Sequence, residues 1–223
     1  MAVERLQYSL DQVLVQLRQM AVPDYLEGGK RFGIYARNGL GISMPSIRLL
    51  ARSIRKNHKL ALQLWETEIH EARILASLVD IPQEVTYEQI MFWTNDFYSW
   101  DLCDQVIVNL FVKTDFPLVL AIQLSERKEE FVKRAGFVMM AAMAVHRKEM
   151  KDIVVLSFLD QIEKMSDDPR NFVKKAINWA LRQIGKRNPI LKKAAIETAE
   201  RILLQDSSSA RWIARDALRE LSK

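Results

Sequence analysis

The chain has 223 residues, enough for one domain with a core of its own. Its 49% apolar and 27% charged residues exclude a disordered composition, and no apolar run approaches the roughly 20 residues that span a bilayer. A single cysteine, Cys103, and three scattered histidines exclude an internal disulfide and a zinc cluster, and the net charge of +5 suits nucleic acid if the basic residues are patterned.

The start, "MAVERLQYSLDQV", is charged early and helically spaced, so it reads as a helix and not a signal peptide. With one cysteine, this sets the cytoplasm as the expected compartment. The first helix is predicted over 3–21, with Leu6, Leu10, Val13, Leu14 and Leu17 on one face. "GGKRFGIYARNGLGISMP" follows and holds five of the seven glycines, at Gly28, Gly29, Gly33, Gly39 and Gly41. This is the one stretch where the backbone is expected to bend or approach something closely. Pro45 and Ser46 open a helix to about Arg55. Further helices are predicted at 58–68, 70–80, 86–95, 99–113, 116–125, 128–146, 149–165, 170–187, 189–204 and 208–222, with no strand.

Self-similarity organises these helices. "HEARILASLV" (70–79), "FVKRAGFVMMA" (131–141), "NFVKKAINWAL" (171–181) and "ARWIARDALREL" (210–221) each place a basic residue near a helix start and then an apolar run. "SWDLCDQVIVNLF" (99–111) takes the same slot with Asp104 in the basic position. Arg73, Asp104, Arg134, Lys175 and Arg215 recur at intervals of 31, 30, 41 and 40 residues. Such periods mean stacked helix pairs, because one pair cannot bury its apolar face alone. The expected fold is an all-α HEAT-like helical repeat solenoid, a curved right-handed α-α superhelix, in which the second helix of each pair lines the concave surface. It is read as a single domain, with an N-terminal helix and linker over 1–27 and the repeat array over 28–222.

A cation in the first turn opposes the helix dipole by roughly 0.3–1 kcal/mol. The recurrence of Arg73, Lys133 with Arg134, Lys174 with Lys175, and Arg211 with Arg215 therefore points to phosphate binding. Pairing with Glu71, Glu129, Glu130 and Asp216 is the structural alternative. "YSWDLCDQ" (98–105) adds an aromatic plate and a carboxylate, Trp100 and Asp104, four residues apart and so on one helix face. Asp101 points elsewhere and favours the first turn electrostatically.

"FYSWDLCDQVIVNLF", "EEFVKRAGFVMMAAMAVHRKE" and "RNFVKKAINWALRQIGKRNP" together resemble the AlkD-like family of DNA alkylation repair proteins, over about residues 28–222. The resemblance implies a solenoid that cradles duplex DNA and a monofunctional N-glycosylase for cationic alkylated purines of the 3-methyladenine and 7-methylguanine class. It implies a monomer that uses no cofactor or metal. It assigns the aromatic and acidic pair to Trp100 and Asp104, the catalytic-face arginine to Arg134 and a second wall tryptophan to Trp179. "GIYARNGLGISMPSIR" matches the family's N-terminal tyrosine region poorly, with Tyr35 the candidate counterpart. The chemistry is consistent with these residues. A purine alkylated at N3 or N7 is already cationic and leaves without a general acid, in contrast to the usual glycoside hydrolase pair. What remains is positive charge on the deoxyribose, which a carboxylate stabilises directly and indole faces favour. Two other classes fit the same anchors: a catalytically inactive HEAT-type nucleic-acid-binding module, and a protein-interaction scaffold. Trp65, Trp93 and Trp212 are expected in core or inter-repeat packing, Cys103 as buried filler, and His58, His70 and His146 at helix ends or the surface. "SSSA" (207–210) reads as a link and N-cap.

Overall fold

The computed structural model describes residues 8–223. Among them the chain forms thirteen α-helices and no strand: α1 Leu10–Gln19, α2 Pro23–Lys30, α3 Met44–Ile54, α4 His58–Glu66, α5 His70–Val79, α6 Tyr87–Asn95, α7 Trp100–Asn109, α8 Pro117–Ser125, α9 Glu130–His146, α10 Asp152–Lys164, α11 Asn171–Gly185, α12 Pro189–Leu203 and α13 Ser208–Leu221. No helix among the described residues is long and apolar enough to cross a membrane.

Local chemistry sets most helix starts. Ser9 caps α1 through a capping box with Gln12, so the helix opens at Leu10 and not at residue 3. Residues 3–7, Leu6 included, lie outside the described residues. Asn57, Thr86, Asn188 and Ser207 accept from the third amide beyond them at the starts of α4, α6, α12 and α13. Ser207 thus fills the capping role expected of "SSSA". Proline stands in the first turn of α2, α3, α8 and α12, where its missing N–H costs no hydrogen bond. The expected helix over 99–113 stops at Asn109. Leu110 leaves helical geometry at φ −126, ψ −66, and Phe111–Lys113 continue as a 3-10 turn. Residues 149–151, expected to be helical, instead lie in the link between α9 and α10. There Arg187 donates to the carbonyls of Ala144, Arg147, Lys148 and Met150, taking up carbonyls that the end of α9 leaves open.

Helix α2 was not expected. Gly28 and Gly29 sit inside it, and the bend falls later, where Gly33 and Gly41 take φ of 74 and 75. At Gly41 a Cβ would lie 2.1 Å from the Val22 carbonyl oxygen, so only glycine fits. The glycine-rich stretch is not the one place of close approach. In α9, a Cβ on Gly136 would stand 2.3 Å from the Ser125 backbone nitrogen, so α8 and α9 meet backbone to backbone.

The chain divides into two compact units, one ending at Thr114 and one running Asp115–Lys223. In the first, α3, α5 and α7 pack in sequence, and α4 covers α5. In the second, α9, α11 and α13 pack in sequence, with α8 on α9, α10 on α12 and α12 on α13. This alternation of helix pairs is the HEAT-like repeat. The anchors Arg73, Asp104, Arg134, Lys175 and Arg215 fall in α5, α7, α9, α11 and α13, the second helix of each pair. The core of the first unit contains Trp65 and Trp93, fully buried and stacked at 4.0 Å and 3°, an arrangement that adds roughly 0.5–1.5 kcal/mol to their area burial. Cys103 is buried on α7, as expected of filler.

Candidate functional site

The first unit holds Trp100 and Asp104, both half-buried, at the start of α7. Their spacing puts them on one face, about 5–6 Å apart at Cβ. The Trp100 indole N–H donates to the Phe32 carbonyl at 3.0 Å, which fixes the ring against the loop after α2.

That loop is itself held by a residue that the sequence offered only as an ion-pair partner. Glu71, in the first turn of α5 and 3% exposed, accepts from the amides of Leu40 (2.8 Å), Gly41 (2.7 Å) and Ile42 (3.2 Å). It therefore serves the loop and not Arg73, as the pairing alternative had it. His70 opens α5, as expected of a helix-end histidine, but it is buried. Its Nε2 lies 2.8 Å from an Asp101 carboxylate oxygen and its Nδ1 2.9 Å from the Tyr98 hydroxyl. Nε2–H donates to the Asp101 carboxylate, and the Tyr98 hydroxyl meets the ring at Nδ1. Burial raises the Asp101 carboxyl, but His70 and further hydrogen bonds together outweigh it and leave the group below its ordinary value. Burial likewise pushes the Tyr98 phenol well up, so it stays protonated, and Arg37 lies 5.0 Å over its ring. Asp101 is thus a cross-link between α5 and α7, more than a first-turn charge. Behind the loop is a cavity of about 460 Å³ whose walls include Tyr25, Phe32, Ile34, Ile47, His70 and Asp101. Tyr35 stands on the loop and is exposed.

The predicted cations divide by environment. Arg73 is buried; it donates to Asp96 (3.0 Å) and to the Trp65 carbonyl (3.2 Å), with its guanidinium over the Trp65 ring. In the second unit Lys133 pairs with Asp168 at 3.0 Å. Arg134 is 6% exposed and donates to the Phe172 carbonyl at 2.6 Å, joining α9 to the first turn of α11. Asp168 also receives Arg170 at 2.6 Å. Burial raises its carboxyl, yet the bonds from Arg170 and Lys133 hold it at about 2. Lys175 and Arg215 are exposed and have no ion pair among the described residues, while Arg211 meets the exposed Asp206 and the Gln205 carbonyl. Lys174 lies 5.3 Å over Trp212. Trp212, expected in core or inter-repeat packing, is not in the core: it is 39% exposed on α13, and α11 meets it through Lys174. Trp179 is half-buried on α11. Of the four residues assigned to catalysis, Trp100 and Asp104 therefore belong to the first unit, and Arg134 and Trp179 to the second.

A helical-repeat chain with a basic second unit and an aromatic–carboxylate pair belongs to a class that known proteins define further. The family model described as DNA alkylation repair enzyme matches residues 13–221, and the chain belongs to that family. A solved structure described as a new family of proteins related to the HEAT-like repeat DNA glycosylases, with affinity for branched DNA structures, superimposes with a TM-score of 0.78. The two share 17% identity, over 95% of each chain. That likeness establishes the HEAT-like fold. No curated protein matches the chain.

Proposed function

We propose that the protein is a monofunctional DNA N-glycosylase that removes cationic alkylated purines, of the 3-methyladenine and 7-methylguanine class, from duplex DNA. The observation that carries this reading is the Trp100–Asp104 pair on α7, with the indole fixed by the Phe32 carbonyl, in a chain of the DNA alkylation repair family. As the C1′–N bond breaks, its electron pair goes to the base and neutralises it. The positive charge moves to the sugar, where the Asp104 carboxylate stabilises it and the Trp100 ring face favours it. Water then adds to C1′ and gives up a proton. Lys174, Lys175, Arg211 and Arg215 bind phosphates. Arg73, Lys133 and Arg134 act one step back, since carboxylates or carbonyls of their own units already occupy them.

Asp104→Asn keeps the shape and removes the charge. Release of free 3-methyladenine or 7-methylguanine from methylated duplex should slow roughly 10²–10³-fold, the scale for losing one preorganised electrostatic stabiliser. Folding and DNA affinity should persist. Glu88→Gln, an exposed carboxylate on α6, is the charge control and should leave release unchanged. Equal losses in both variants would reduce Asp104 to a general field effect. No release by folded, DNA-binding wild type would overturn the reading. It would favour a non-catalytic DNA-binding module, the class suggested by the branched-DNA affinity described for the similar structure.

A further inference from the structure

The helices α9, α11 and α13 carry one aromatic slot at corresponding positions. Phe131, Phe172 and Trp212 fill it, and each is followed three residues later by a cation, Arg134, Lys175 or Arg215. The first two rings pack on each other with centroids 5.5 Å apart. They are half-buried, and Arg134 is turned inward onto the Phe172 carbonyl. The cation is already exposed at the second position, as Lys175, and at the third position the ring is exposed as well. Trp212 is 39% exposed and Arg215 is exposed without an ion pair among the described residues. The indole lines a shallow hollow of about 490 Å³ with Ser208, Arg211, Arg215, Asp216 and Arg219. Asp216 is engaged by Arg219 and Arg182, and Asp206, beside the hollow, meets Arg211. Lys174 steadies the ring from α11.

A large aromatic ring on a soluble surface usually has its ring face covered by neighbouring apolar groups. Here the neighbours are four arginine and lysine side chains, a serine and one carboxylate, Asp216, which Arg219 and Arg182 already engage. Exposed indole among cations matches single-stranded nucleic acid: the base stacks on the ring while the cations follow the backbone. Inside a duplex both faces of each base are already covered by adjacent bases, so such a ring gains little there. We propose that Trp212, with Arg211, Arg215 and Lys174, forms a stacking site for an unpaired nucleotide of single-stranded DNA. The site is separate from the Trp100–Asp104 chemistry and needs no lesion.

The test measures affinity of the full chain for an unstructured single-stranded oligonucleotide and for a blunt duplex of the same length. Trp212→Leu keeps apolar bulk and removes the ring. It should weaken single-strand binding about 5- to 100-fold, the range for losing one stacked base, and leave duplex binding within about twofold. Trp212→Phe should retain most of the single-strand affinity. Arg215→Ala should weaken both and reduce the salt slope by about 0.9 on duplex and about 0.7 on the single strand. Equal loss on both ligands with Trp212→Leu, no loss at all, or no single-strand binding by wild type would overturn the proposal. Base release from methylated duplex is read in a separate assay, so failure of one reading leaves the other standing. Thermal unfolding of each variant excludes misfolding as the cause.

Discussion

Glu71→Gln tests how the loop that fixes Trp100 is held. The substitution preserves shape but removes the charge and turns one oxygen into a donor. At 3% exposure no solvent replaces what is lost, and three amides, those of Leu40, Gly41 and Ile42, depend on this carboxylate. Hydrogen bonds to a charged group contribute about 1.5–3 kcal/mol each, and bonds sharing one acceptor group do not add. In the variant one amide faces an NH₂ group and the other bonds become neutral. The expected cost is ~2–4 kcal/mol. For a chain of this size each kcal/mol lowers Tm by roughly 2–4 °C, so a fall of about 5–15 °C follows if the loop and its unit unfold together. If the loop opens alone, Tm falls less, and amide exchange at 40–42 accelerates by about 30-fold or more. Base release should also decline, because the Phe32 carbonyl that anchors Trp100 lies on this loop. Unchanged Tm together with unchanged exchange at Leu40, Gly41 and Ile42 would refute the reasoning.

Two further outcomes follow from the second unit. Gly136→Ala gains about 0.5–1 kcal/mol of helix propensity but drives a Cβ to 2.3 Å from the Ser125 nitrogen. The backbone of α8 cannot rotate away as a side chain can, so overpacking of ~1–3 kcal/mol should prevail and lower the urea midpoint; a raised midpoint would show that the approach has slack. Asp168, at about 2 against an ordinary 3.8, has its folded-state pKa depressed by Arg170 and Lys133. Its stabilisation is therefore present above about pH 4 and lost as pH falls towards 2. Asp168→Asn should cost ~1–2 kcal/mol at pH 7, allowing for solvent screening of Arg170, and much less near pH 2.5. An equal cost at both pH values would remove the ion pairs as the cause.

The sequence by itself determined what depends on neighbours along the chain. Helix starts were legible at Asn188–Pro189 and Ser207 because a cap side chain and its amide lie three residues apart. The repeat was legible because α5, α7, α9, α11 and α13 each carry the same apolar run, which within each unit buries against the neighbouring helices. Trp100 and Asp104 were legible because the helix fixes their shared face. Tertiary structure decided what depends on partners distant in sequence. Glu71 could not be assigned to Leu40, Gly41 and Ile42 from spacing, since a loop some 30 residues away supplies those amides. His70 looked like a helix-end histidine, and α7 and Tyr98 made it a buried cross-link. Arg73, Arg134, Lys175 and Arg215 share one repeat position, yet the first two are turned inward and the last two outward. The periodicity specifies only the helix face. Whether a carboxylate or carbonyl meets the guanidinium there is set by the adjoining helix and loop. For the same reason Trp212, indistinguishable by pattern from a core tryptophan, stands exposed among cations.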